Sequence, residues 1–226
     1  MSDVPVVTVD GPGGAGKGTI TSLLAAARGW HLLDSGALYR LTALAAQKQG
    51  IDTADEVGIA RIAETLDVCF SAEENAPVTV MLAGENVTKA IRQESVGNAA
   101  SIVASIPSVR EALLQRQRDF AALPGLIADG RDMGTTVFPA AVLKIFLTAS
   151  AEERARRRMK QLREAGISAS FGSLLRDIQA RDERDENRSV SPLKPAADAI
   201  VLDTTELSIP DVVARIEALL DERLKA

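Results

Sequence analysis

Asp10-Gly11-Pro12-Gly13-Gly14-Ala15-Gly16-Lys17-Gly18-Thr19 is the stretch on which the reading of this chain turns. It holds the spacing G-x-x-x-x-G-K. Residues 4–9, just before it, form a short β-branched apolar run suited to a strand buried on both faces. Residues 18–27, just after it, carry an Ala/Leu face and read as a helix. Strand, glycine loop and helix in that order make a phosphate cradle. Backbone N–H groups turn inward around an anion, the helix N-terminus adds positive potential, and Lys17 reaches the outer phosphates. Gly11, Pro12, Gly13, Gly14, Ala15, Gly16, Lys17, Gly18 and Thr19 are the candidate loop residues. One feature departs from the usual motif: Gly18 follows the lysine where Ser or Thr is common, and the hydroxyl comes one place later, on Thr19. The plain alternative is a glycine-rich strand-to-helix turn with no ligand.

Beyond the loop, strand and helix patterns alternate. A short strand is expected over 32–34, then helices over 36–47 and 55–66. The texture changes at 67–90, where short strands over 68–70, 78–82 and 85–87, with turns at Asn75-Ala76-Pro77 and Ala83-Gly84, suggest a small antiparallel meander. Helices are expected over 91–105 and 108–122, the second opened by Pro107 and Ser108. Apolar strands follow at 126–129 and 142–148, charged amphipathic helices at 151–164 and 171–185, a last strand at 199–203 and a closing helix at 209–224. Strands separated by helices imply a parallel α/β sheet, whose ligands bind past the C-terminal strand ends.

The chain has 226 residues and a net charge of −5, with 46% hydrophobic and 25% charged residues. That is a globular composition, neither disordered nor fibrous. No apolar run is long enough to span a membrane. The start, Met1-Ser2-Asp3-Val4-Pro5, lacks a basic n-region, so no secretory signal is expected. The single cysteine, Cys69, forms no internal disulfide and favours a reducing, cytoplasmic setting. Aromatics are only 3%, too few to stack bases along a nucleic acid polymer. The absence of a long exposed apolar segment favours a monomer. Of the 26 basic residues, 19 are arginine, and nine of these fall between Arg154 and Arg188. Arginine suits bidentate capture of phosphate, although most surface arginines are simply solvated.

Three further stretches carry candidate ligand groups, the first two where strands end and the third at the end of a helix. Asp34-Ser35-Gly36-Ala37-Leu38-Tyr39-Arg40 is a strand end passing into a helix, with Asp34 or Ser35 as N-cap and Arg40 one turn on. Ile127-Ala128-Asp129-Gly130-Arg131-Asp132-Met133-Gly134-Thr135 places a carboxylate, Asp129, at the end of an apolar strand. Such a carboxylate helps hold hydrated Mg²⁺, here with Thr19. Arg181, Asp185 and Arg188 share one helix face at i, i+4 and i+7, as either a salt-bridge ladder or a ligand-binding face. No Asn-Lys-x-Asp sequence occurs, which weakens a guanine-reading GTPase.

The Gly16-Lys17-Gly18-Thr19 ending resembles the nucleoside monophosphate kinases. Asp34 to Arg40, Gly130-Arg131-Asp132-Met133-Gly134-Thr135 with Val137-Phe138-Pro139, and Arg181, Asp185 and Arg188 resemble the bacterial cytidylate kinase family. The likeness spans essentially the whole chain. Adenylate kinases usually show Asp-Gly-Phe-Pro-Arg where this chain has Asp-Gly-Arg-Asp, and one cysteine excludes a Cys₄ zinc lid. The resemblance implies a P-loop, nucleoside-monophosphate-kinase-like three-layer α/β fold with a central parallel sheet, a short lid and a small antiparallel β insertion. It implies a single kinase domain with a core (1–35, 106–150, 189–226), a monophosphate-binding lobe (36–105, insertion about 67–90) and a lid region (151–188). It further implies that the loop and Lys17 bind ATP with Mg²⁺ at Thr19 and Asp129. Ser35, Arg40, Arg131 and Arg188 would hold the acceptor phosphate. Ser101, Arg110 and Asp132 would read cytosine, and Arg181 and Asp185 would hold the pentose. Arg154 and Arg158 would approach the transferring phosphoryl group. On helix pattern alone, Ser101 and Arg110 read as ordinary helix residues.

The implied reaction is phosphoryl transfer from ATP to CMP or dCMP. A nucleotide acceptor is largely dianionic at pH 7, its second pKa being about 6, and needs no general base. Two other classes stay open at this point. A small-molecule hydroxyl kinase would use Asp34 as base. A non-catalytic ATP-binding module would have little use for a second anion site.

Overall fold

The five residues Val6–Asp10 (β1) are all buried. A strand buried along its whole length belongs in the middle of a parallel sheet. The computed structural model, which describes residues 4–71, 79–164 and 166–225, places it there. The sheet order is β2-β6-β1-β7-β8, with His31–Asp34 as β2, Leu126–Asp129 as β6, Leu143–Thr148 as β7 and Ile200–Asp203 as β8. All its pairings are parallel. β6 is buried throughout, whereas the edge strands β2 and β8 are buried on one side only. The register sets Asp129 beside both Val9 and Asp34, so carboxylates line the C-terminal edge where β1 delivers its loop.

Two compact units are present: residues 1–34 with 117–226, and residues 35–116. In the first, helices Lys17–Arg28 (α1) and Ile209–Lys225 (α8) pack together against the sheet. Leu24, Ile127, Ile145, Leu147, Ile216 and Leu220 belong to the resulting core. The charged helices Ala151–Glu164 (α6) and Phe171–Asn187 (α7) pack on one another.

The second unit holds Ser35–Lys48 (α2), Glu56–Glu64 (α3), Glu94–Val103 (α4) and most of Pro107–Arg118 (α5). It also carries the antiparallel sheet Val68–Ser71 (β3), Thr79–Leu82 (β4) and Glu85–Asn86 (β5). The β4–β5 turn uses Ala83 and Gly84, both at positive φ (46° and 77°), the conformation a two-residue hairpin loop requires. The expected turn at Asn75-Ala76-Pro77 lies outside the described residues, as do Met1 to Asp3. The division between units falls in the last turn of α5, after Arg116, where the sequence reading had placed it after residue 105. Arg110 of α5 stacks over the Tyr39 ring of α2, which ties that helix to the second unit.

Two elements differ from the sequence reading. The helix expected over 91–105 is interrupted: a 3₁₀ turn, Ala90–Arg92, precedes α4, and Gln93 between them is extended (φ −65°, ψ 146°). The interruption takes the Ile91 carbonyl out of a continuous helix, and it accepts from Arg40 Nη1 at 2.9 Å. Residues 133–137, for which the sequence pattern predicts no element, form a π-helical turn, Met133–Val137. Val137 N and Phe138 N donate to the carbonyls of Asp132 and Met133, five residues back. Among the described residues no helix is long and apolar enough to cross a membrane.

Candidate active site

In the first unit the loop after β1 closes tightly on the sheet. Gly11 sits at φ 144°, and a Cβ there would run into the Leu147 carbonyl of β7, so only glycine lets the chain leave the strand at this point. Lys17 opens α1 and is 7% exposed. Its ammonium donates to the carbonyls of Gly11 (2.8 Å) and Pro12 (3.0 Å) and stands 3.9 Å from Asp129 Oδ1. Burial, partly offset by Asp129, pushes the Lys17 pKa down to about 8. Burial likewise pushes Asp129 up to about 7 against the pull of Lys17. Thr19 is exposed on the first turn of α1.

The arginines gather around this loop. The Arg131 and Arg181 guanidiniums lie over Gly13, 3.4 and 3.7 Å from where a Cβ would stand. Arg131 Nε donates to Asp185 of α7. Burial works against the Arg131 charge, but Asp185, Asp129 and Asp182 outweigh it and keep the guanidinium protonated above its usual range. Burial also works against ionised Asp185, yet Arg131 and Arg181 hold it below the ordinary carboxylate value. Arg188 Nη2 lies 3.9 Å from Asp132 Oδ1, and its Nε donates to the Ser191 carbonyl. Arg154, 5% exposed, donates to both oxygens of Asp182 (3.0 and 2.5 Å), to the Gly13 carbonyl (3.1 Å) and to the Ala149 carbonyl (3.0 Å). It therefore ties the crest of the loop to α6 and α7. Arg158 stands further along α6, with Nη1 3.4 Å from Gln161 Oε1.

In the second unit, Ser35 is the buried first residue of α2, and Arg40 follows on the same helix. Ser101 lies buried on α4, which packs against α2. Arg110, 7% exposed, reaches the Ala104 carbonyl at 3.3 Å while its guanidinium carbon lies 5.9 Å from the Tyr39 ring centre.

Several residues have site roles that the sequence reading did not assign. Asp10, at the end of β1, accepts from Met133 N and Gly134 N, both at 2.8 Å. It thereby clamps the π-helical turn that follows Arg131 and Asp132. Burial pushes its carboxyl up to about 6 against those two bonds. Arg157 donates to Thr204 Oγ1 (3.2 Å) and the Thr204 carbonyl (2.5 Å), and Thr204 Oγ1 donates to the Ala15 carbonyl (3.2 Å). Asp10 was findable, since it closes the strand that feeds the loop; Thr204 follows the last strand in the same way. Asp182 and Arg157 carried no local signal among so many charged neighbours.

The chemistry of the donor set limits which metal the site can take. Among the described residues no group of three His, Cys, Asp or Glu side chains converges. Asp129, the carboxylate that faces Lys17, and the hydroxyl of Thr19 do not make a protein cage. They fit Mg²⁺, which keeps several waters and takes its remaining ligands from bound phosphates.

A parallel sheet with a glycine loop and buried lysine after its central strand, and a carboxylate ending the adjacent strand, defines a P-loop nucleotide-binding fold. A profile of the family described as cytidylate kinase matches residues 7–222, and the chain belongs to that family. It is 60% identical over 223 residues to the cytidylate kinase of Pseudomonas putida (strain W619), covering 98% of each chain. It is 58% identical over 221 residues to that of Photobacterium profundum, covering 98% of this chain and 96% of the relative. Among solved structures, the shikimate kinase from Bacteroides thetaiotaomicron is similar at a TM-score of 0.47 and 15% identity, covering 96% of this chain and 99% of that one.

Proposed function

We propose that this protein transfers the γ-phosphoryl group of ATP to CMP or dCMP, giving ADP and CDP or dCDP. The observation that carries the reading is the pair of guanidiniums over Gly13, Arg131 and Arg181, with Arg131 bonded to Asp185 of α7. It is a second anion site against the phosphate loop, which an ATP sensor would not need. The family membership supports cytidylate as the acceptor.

In this reading Gly11 to Thr19 wrap the ATP phosphates, and Lys17 exchanges its loop carbonyls for phosphate oxygens. Thr19 and Asp129 would hold hydrated Mg²⁺, which would supply charge neutralisation on the phosphates. Ser35, Arg40, Arg131 and Arg188 hold the acceptor phosphate. Asp132 accepts from the cytosine amine, with Ser101 and Arg110 completing base recognition. Arg181 and Asp185 hold the pentose. Arg154 trades Asp182 and the Gly13 carbonyl for the transferring group, and Arg158 assists when the lid region, 151–188, closes and excludes water. No residue acts as general base, because the acceptor oxygen is already anionic. Catalysis is alignment and charge compensation around a loose, metaphosphate-like transition state.

The test is ADP release with ATP over CMP, dCMP, UMP, AMP, GMP and the hydroxyl acceptors shikimate and gluconate. Turnover with CMP and dCMP well above the rest is expected; turnover with none of the nucleotides overturns the reading. Asp132→Ala is expected to lower the CMP-over-UMP preference by about tenfold or more, since an unmatched buried polar group discriminates strongly. An unchanged ratio removes Asp132 from base recognition.

A further inference from the structure

Gly97 lies in the body of α4 and is buried, its N–H bonded to the Gln93 carbonyl at 3.0 Å. It is not at a positive φ, so the backbone does not ask for glycine there. A glycine inside a helix costs about 1 kcal/mol relative to alanine. Something other than helix geometry therefore accounts for it. A Cβ on Gly97 would stand 3.3 Å from Arg40 Nη1, 3.4 Å from Nη2 and 3.5 Å from Cζ. Three nearly equal distances mean that the guanidinium lies flat over the bare Cα of Gly97. The same Arg40 Nη1 is fixed at its edge by the Ile91 carbonyl, which the break before α4 turns away from the helix. A carbonyl at the edge and an open backbone face beneath hold the plane of Arg40 in one orientation. Gly97 is also one turn from Ser101, so both stand on the same side of α4.

We propose that Gly97 is a positioning residue for the acceptor phosphate: its missing side chain seats the Arg40 guanidinium in the plane that grips the monophosphate. The inference rests on the reading that Arg40 holds the acceptor phosphate. A methyl group at Gly97 lifts the guanidinium by a few tenths of an ångström and leaves the helix better formed. Stability and acceptor binding then move in opposite directions, which a purely structural glycine would not produce.

The experiment is steady-state kinetics and thermal unfolding of Gly97→Ala, Arg40→Ala and the double variant. For Gly97→Ala, the KM for CMP is expected to rise roughly threefold to tenfold, since small misplacements of aligning groups are costly. The KM for ATP should stay unchanged. The Tm should hold or rise by about 2 °C, as expected for glycine replaced within a helix. In the Arg40→Ala background the same substitution should leave the KM for CMP unaltered, because the two act through one group. An equal rise in both backgrounds, or no rise in Gly97→Ala while Arg40→Ala raises it, overturns the role of Gly97. No change in Arg40→Ala itself overturns the prior assignment of Arg40, and the two failures are thereby told apart.

Discussion

Arg131 and Arg154 of the first unit and Arg40 and Arg110 of the second meet different groups among the contacts described above. In the first unit Arg131 and Arg154 are gripped by carboxylates of α7, Asp185 and Asp182. In the second, Arg40 and Arg110 reach the backbone carbonyls of Ile91 and Ala104, and Arg110 also lies over the Tyr39 ring. A carboxylate neutralises a guanidinium and can be exchanged for a phosphate at little net cost in charge. A carbonyl or a ring face orients the guanidinium without bringing a charge of its own. A carboxylate contact suits a group that must change partners during a reaction; a carbonyl or ring contact suits a group that must present one fixed surface.

The largest effect is expected from removing the charge of Lys17 in the first unit. Lys17→Ala should lower kcat by about 10³-fold or more, because a phosphate-neutralising group contributes mostly in the transition state. The KM for CMP should change little, and circular dichroism should report an intact fold. A kcat within a few-fold of the parent would break the contrast at its first side. Arg110→Ala probes the other side. It should raise the KM for CMP by about tenfold with kcat and the KM for ATP near normal, as loss of a uniform binding contact does. A fall in kcat without a change in KM would show that Arg110 belongs with the exchanging groups.

A third effect, on stability and not on turnover, concerns Asp10, whose carboxylate accepts from two backbone amides. Its folded pKa, about 6, lies above the ordinary 3.8. A raised pKa means that the native state favours the protonated form. Asp10 therefore contributes most below its unfolded value, and that contribution is lost as pH rises through about 6. Asp10→Asn stays neutral, so its stability relative to the parent should increase by up to about 3 kcal/mol between about pH 4 and 6.5 and then level off. Urea unfolding of both proteins across that range measures the difference. A difference independent of pH would mean that burial does not strain Asp10.

Much of the molecule was legible in the sequence where signals are contiguous. The β6 boundaries, 126–129, and the α6 boundaries, 151–164, coincide with those expected, because apolar runs and charge periodicity are local properties. The break at Gln93 was not legible, since no proline stands at it and the Ile91 carbonyl that it frees finds its donor on Arg40, 51 positions away. The π-helical turn was hidden for the same reason: two amides of residues 133 and 134 find their acceptor on Asp10, more than a hundred residues away. The bond between Arg154 and Asp182 spans 28 positions, and nothing in the chain distinguishes Asp182 from the acids around it.

Local sequence sufficed for the phosphate loop, the parallel α/β sheet around it, the strand-end carboxylate and the excess of arginine. Each depends on neighbours in the chain: a glycine-lysine spacing, a burial period, a strand that ends in Asp129. What each arginine holds was settled by the packed fold alone. Guanidinium partners are chosen by helix packing and by carbonyls released at irregular turns, so the pairing of Arg131 with Asp185 and the seat of Arg40 on Gly97 exist only once the helices have met.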